Sequence, residues 1–255
     1  MECRMENLNN VESTNNVNIV LLEGNITSDP VIEYASNNNS IAKLTVAIET
    51  FLHKQDGVEK NISYIDIEAW RSKADFIAAS TGKGSRIRVI GRLRQSVWKE
   101  SITNAMRSRV FVIADNIDVL QNKDRPNKAM NCLNSVTLEG IIVNELKTEP
   151  SGKNIVTKFT LGVNKSFQKQ GKWQNEKHYI DIEAWGEKSD YVIAKASKYS
   201  FVRVAGKLKQ VTWEDKLTNM KKNRTYVIGE FFEFSPYNSK QNIFTNDDFK
   251  NYQYE

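Results

Sequence analysis

Cysteine and histidine are nearly missing from this chain, with two of each in 255 residues: Cys3 and Cys132, His53 and His178. Two thiols that far apart, with so little histidine, cannot build a disulfide framework or a zinc site. Glycine (12) and proline (4) are too few for a collagen-like or low-complexity chain. No stretch approaches the roughly 18 consecutive apolar residues that a membrane-crossing helix needs. Met1 to Asn10 carries Glu2, Arg4 and Glu6 and no apolar run, so no secretory signal is expected there. The G-x-x-x-x-G-K-[ST] phosphate loop and the H-E-x-x-H metal pair are both absent from the sequence. These absences predict a reduced, intracellular, soluble protein with no cofactor and no catalytic machinery.

What is present is ordinary in amount: 40% apolar and 26% charged residues, with 36 Lys+Arg against 31 Asp+Glu and a net charge of +5. The excess permits an anionic partner without establishing one, so the placement of the charges matters more than their sum. The length suits one large domain or two of roughly 100–130 residues, each able to bury a core.

The chain repeats itself. Ile65-Asp66-Ile67-Glu68-Ala69-Trp70 recurs unchanged as Ile180-Asp181-Ile182-Glu183-Ala184-Trp185, an offset of 115. That offset also relates Gly91-Arg92-Leu93-Arg94-Gln95 to Gly206-Lys207-Leu208-Lys209-Gln210, Trp98 to Trp213 and Arg109 to Arg224. Leu22-Glu23-Gly24 matches Leu138-Glu139-Gly140 at 116, so one residue has entered between the blocks. A period this long is a duplicated domain, not a solenoid. The expected division is a disordered N-terminus over 1–16, a first domain over 17–120, a polar linker over 121–132, a second domain over 133–235 and a flexible tail over 236–255.

Each copy reads as strand-rich. Val17–Ile26, Ile41–Phe51, Ile62–Trp70, Arg86–Trp98 and Arg109–Val119 are β-branched and aromatic with partial alternation. Ser72–Ser80, matched by Glu187–Ser197, predicts a helix capped by Ser72, with Ala74, Ile77 and Ala78 as its apolar stripe. Three strands, a helix and two strands are the order of a five-stranded Greek-key barrel, the OB-fold, twice in tandem and mainly all-β. The same order also fits an open α+β sheet.

Alternation then sorts the side chains. Ile65, Ile67 and Ala69 share one face, leaving Tyr64, Asp66, Glu68 and Trp70 on the other; Tyr179, Asp181, Glu183 and Trp185 repeat this. On the fourth strands Arg86, Arg88, Arg92, Arg94 and Trp98, and Arg203, Lys207, Lys209 and Trp213, are expected outside. Large rings among cations need a reason to be exposed. Unpaired bases stack on such rings while Lys and Arg meet phosphates. The carboxylates Asp66, Glu68, Asp181 and Glu183 are of the right type for a divalent cation, but the neighbouring arginines favour their role as cross-strand partners holding the basic side chains.

These residues carry a family resemblance. Asn18-Ile19-Val20-Leu21-Leu22-Glu23-Gly24-Asn25-Ile26-Thr27-Ser28-Asp29-Pro30 resembles the N-x-V-x-L-x-G-N-L-x-x-D-P opening of bacterial single-stranded DNA-binding proteins. Lys83-Gly84-Ser85-Arg86 to Arg94 with Trp98 resembles their K-G-S-x-V-x-V-x-G-x-L-R strand and loop tryptophan. The second copy is similar from Lys172-Trp173-Gln174 through Tyr179 to Gly186, and at Ala205 to Lys209 with Trp213, although Val143-Asn144-Glu145-Leu146 replaces the Asp-Pro turn.

The resemblance implies stacking of single-stranded DNA on Tyr64, Trp70, Trp98, Tyr179, Trp185 and Trp213, with Phe51 and Phe167 as further candidates. It implies a cytoplasmic, nucleoid-associated protein acting in replication, recombination and repair, and a homodimer that brings four OB-folds together. The family's acidic tail tip is only faintly echoed by Asp247-Asp248-Phe249, which leaves docking of replication and repair enzymes doubtful. Two other readings stay open: a primosome-type or RNA-directed OB-fold protein, and a dimeric scaffold whose tryptophans bury against protein.

Overall fold

A computed structural model describes residues 16–54, 57–100, 104, 106–121, 132–169, 171–214 and 221–235. Cys3, the N-terminus over 1–15, the segment 122–131 and the tail over 236–255 lie outside these residues.

The first half holds β1 (Asn18–Ile26), β2 (Val31–Tyr34), β3 (Ser40–Lys54), β4 (Gly57–Trp70), α1 (Ser72–Ser80), β5 (Arg86–Lys99) and β6 (Met106–Gln121). The second repeats it as β7 (Asn134–Ile142), β8 (Lys147–Ser151), β9 (Asn154–Lys169), β10 (Lys172–Trp185), α2 (Glu187–Lys195), β11 (Phe201–Glu214) and β12 (Lys221–Phe234). Five strands of each half close into a barrel. In the first, β1 pairs with β3 and β5, β3 with β4, β5 with β6, and a short parallel pairing of Ile67 with Val112 joins β4 to β6. In the second, β7, β9, β10, β12 and β11 close in the same way. The open-sheet alternative is thereby set aside.

β2 and β8 are sixth strands that the sequence pattern does not announce. They are short, mostly exposed edge strands on β3 and β9, and Pro150 fits within β8 because an edge position does not require its missing N–H.

The apolar faces of the strands form the core: Val20, Leu22, Ile65, Ile67, Ala69, Ile87, Val89 and Leu93 in one half, and Val136, Leu138, Ile180, Ile182, Ala184, Val202, Val204 and Leu208 in the other, while Val97, which shares the alternation of Ile87 and Val89, is exposed. α1 covers its barrel with Ala74 and Ile77, while Ala78 is exposed. Ser72 does not cap this helix. The cap position falls on Arg71, at φ 58°, with no side-chain cap bond, and Gly186 takes the same backbone shape in the second half at φ 56°. Gly91 and Gly206 lie at the bulges of β5 and β11, where a Cβ would run into the carbonyls of Ile113 and Ile228. The approach of the two strands leaves no room for a side chain.

The barrels meet through β1 and β7, which pair antiparallel from Asn18↔Leu138 to Leu22↔Asn134 and join all twelve strands into one sheet. Asn18 brackets Leu93, accepting from its N–H at 2.8 Å and donating to its carbonyl at 2.9 Å; Asn134 does the same to Leu208, at 2.9 Å each way. The chain before each strand crosses to the other half: the Asn16 N–H donates to Asn164, and the Cys132 N–H donates to Glu49.

Candidate nucleic-acid interface

Each half carries a long two-stranded arm, β5–β6 or β11–β12, and near its tip sits a tryptophan. Trp98 and Trp213 are each 46% exposed. At the barrel end, Trp70 and Trp185 are half-buried at the start of the helices. The Trp185 Nε1–H donates to Glu183 Oε2 at 3.2 Å, whereas the Trp70 Nε1–H is buried without a partner among the described residues.

The two tyrosines part company. Tyr64 is 49% exposed, while Tyr179, expected outside, is only 6% exposed. The first domain's β5 meets the second domain along this strand. The Tyr179 backbone N–H donates to Gln95 Oε1 at 3.1 Å, the Gln95 N–H donates to His178 Nδ1 at 3.4 Å, and Arg94 pairs with Glu176 at 2.8 Å. Burial holds the His178 imidazole down at about 4; Glu176 opposes this, and Arg94, Lys165 and Arg92 add to it.

The carboxylates on the aromatic strands do hold cations, but not those of the fourth barrel strands. Arg109 pairs with Glu68 at 2.7 Å, and Arg224 pairs with Asp181 at 2.8 Å and Glu183 at 3.2 Å. These arginines lie on β6 and β12, which adjoin β4 and β10 directly, whereas β5 and β11 are one strand further away. Burial works against the Arg224 charge, yet Asp181 and Glu183 outweigh it and hold the guanidinium above its ordinary range. Asp66 departs from the pattern and accepts from the Thr45 hydroxyl at 2.9 Å. Arg109 and Arg224 also lie over the rings of Phe111 and Tyr226, at 4.7 and 4.9 Å.

The structure does not gather the seven expected phosphate-binding cations beside the aromatic strands. Arg86 and Arg88 bind Glu23 of β1, and Arg203 binds Glu139 of β7 and Glu233. Lys207 pairs with Glu230, Arg92 with Asp115 and Arg94 with Glu176. Glu23 of β1 and Glu139 of β7 hold Arg86, Arg88 and Arg203 on an outer saddle of β5, β1, β7 and β11. Lys209 has no ion-pair partner among the described residues.

Sequence reasoning gave no role to Trp173, which is 56% exposed on the β9–β10 hairpin. A tryptophan in the polar stretch Lys172-Trp173-Gln174 was the available signal.

Two closed Greek-key barrels in tandem, each with a helix between its third and fourth barrel strands, define a protein with two OB-folds. Residues 17–120 and 133–235 both match the model of the single-strand binding protein family, and the chain belongs to that family. It is 27% identical over 222 residues to a single-stranded DNA-binding protein of Deinococcus radiodurans, covering 83% of this chain and 73% of that one. A Streptococcus mutans single-stranded DNA-binding protein is 28% identical over 122 residues, 47% of this chain and 71% of the relative. The crystal structure of the wild-type single-stranded DNA-binding protein from Thermus aquaticus superposes with a TM-score of 0.68 at 22% identity, covering 87% of this chain and 94% of that one, and so shares the fold. Among the described residues no helix is long and apolar enough to cross a membrane, and no group of three His, Cys, Asp or Glu is placed to hold a metal ion.

Proposed function

We infer that the chain is a non-catalytic protein that coats single-stranded DNA without regard to sequence, in the cytoplasm, during replication, recombination and repair. One observation carries this reading: Trp98 and Trp213 stand equally exposed near the ends of equivalent arms. Stacking of unpaired bases contributes roughly 1–3 kcal/mol per ring and is indifferent to sequence, because every base has a π-face. Tyr64, Phe51 and Trp70 extend that surface along the first domain, and Trp185 continues it in the second.

Phosphates are met by Lys209, Arg92 and Arg94, which precede the two arm tryptophans. Exposed ion pairs of this kind are worth only about 0–1 kcal/mol, so a phosphate can displace the carboxylate. Arg86, Arg88, Arg203 and Lys207 serve the saddle instead.

The saddle supports a homodimer. Ile19 and Ile90 are exposed on its outer face among the ion pairs, with Phe231 exposed on the adjoining β12, and such a patch can meet its own copy in an isologous contact. Two chains would bring four OB-folds together.

Fluorescence anisotropy with labelled oligo(dT), oligo(rU) and duplex DNA, from low to high salt, tests the reading. Binding should favour single strands, weaken steadily with salt through counterion release, and be stronger for DNA than for RNA. Equal or tighter binding of duplex would overturn it.

A further inference from the structure

The β3–β4 and β9–β10 ladders run without a register break from the barrels to their tips, so the faces of the two hairpins can be compared pair by pair. In the first domain Ala47↔Tyr64, Glu49↔Ile62 and Phe51↔Lys60 lie on one face, which puts Phe51 on the same face as Tyr64, two pairs further out. The corresponding pairs in the second domain are Gly162↔Tyr179, Asn164↔Lys177 and Ser166↔Asn175. Ser166 thus occupies the place of Phe51.

Phe167 pairs with Gln174 and belongs to the opposite face, with Lys165↔Glu176 and Val163↔His178. That is the face turned toward the first domain, where Glu176 meets Arg94 and His178 accepts from Gln95. Tyr179 keeps the stacking-side register but is buried. The next pair outward on its face is Gln168↔Trp173. The Trp173 ring is open to solvent, next to the exposed Lys172, on a hairpin whose base is pinned by the interdomain bonds.

We propose that Trp173 is the base-stacking residue of the second domain's hairpin, in place of Phe167 and Tyr179. The two domains then hold a single strand differently. In the first the strand runs against the barrel at Tyr64. In the second it is met about 20 Å further out, six residues along β10 at about 3.3 Å each. This rests on the reading of the chain as a single-strand binder.

Photocrosslinking of the full-length protein to oligo(dT) carrying 5-iodouracil, with the modified peptides identified by mass spectrometry, tests it. Crosslinks should appear at Trp173 and Tyr64 and be missing at Tyr179 and Phe167. W173A should weaken oligo(dT) binding about ten-fold, as expected for one lost stacking ring, and W173F should restore most of it. Crosslinks at Tyr179 or Phe167 with Trp173 untouched, or W173A binding like wild type, would overturn this inference alone. A wild-type chain that fails to hold oligo(dT) at all would overturn it together with the functional reading.

Discussion

Val20 of β1 lies directly opposite Val136 of β7, and their separation of 116 positions equals the offset between the two copies in this region. The pair therefore sits on a local two-fold axis about which the rest of the joint repeats, including the brackets that Asn18 and Asn134 place around Leu93 and Leu208.

Of these brackets, that of Asn134 is buried and supplies both of its backbone partners. N134A leaves an N–H and a carbonyl without a partner and should cost about 2–3 kcal/mol in urea unfolding. N18A, which is more exposed, should cost less. An N134A protein as stable as wild type would show that the joint does not depend on these bonds.

Arg71 holds a backbone shape that suits glycine, and the second domain has Gly186 at the same place. R71G should stabilise the first domain by about 1 kcal/mol through relief of that strain. The reverse change, G186A, should destabilise the second. A lower melting temperature for R71G would mean that the Arg71 side chain contributes more than its backbone costs.

His178 makes the interdomain joint sensitive to acid. Its folded pKa of about 4 lies below the ordinary 6.5, so the unfolded chain takes up the proton first. The neutral imidazole's contribution is complete above pH 6.5 and is lost as pH falls toward 4, amounting to about 3 kcal/mol at most. Protonation also removes the lone pair that accepts from Gln95. H178S, which installs the serine found at the equivalent Ser63, should flatten the difference in stability between pH 6.5 and 4. Parallel stability–pH curves for H178S and wild type would contradict this.

Much of the fold is legible in the sequence because the barrel cores obey strict alternation: Ile65, Ile67 and Ala69 are buried as their spacing requires. The joint between the copies is not legible, since Val20 and Val136 look like any core valines until β1 and β7 pair. Exposure is legible where it follows from position on one strand, as for Trp98, Trp213 and Tyr64. The expectation fails at Tyr179, which is buried where Tyr64 is exposed, and at Phe167, which corresponds to Leu52 and not to Phe51 because the second copy is one residue shorter ahead of β9. Arg86, Arg88 and Arg203 are outward as alternation predicts, but only the strand order reveals that they face the saddle. Ser72 has a capping side chain, yet the turn into α1 places Arg71 at the cap position.

The central claim is that bases stack on the arm tryptophans, and the most direct test is intrinsic tryptophan fluorescence during titration with oligo(dT) in wild type and in the W98F/W213F double variant. Stacking predicts strong quenching in wild type, a response to duplex DNA that is weak by comparison, and quenching markedly reduced in the double variant. If oligo(dT) leaves the wild-type signal unchanged, the scaffold reading takes its place; if the double variant is quenched just as strongly, Trp98 and Trp213 are not the rings on which bases stack.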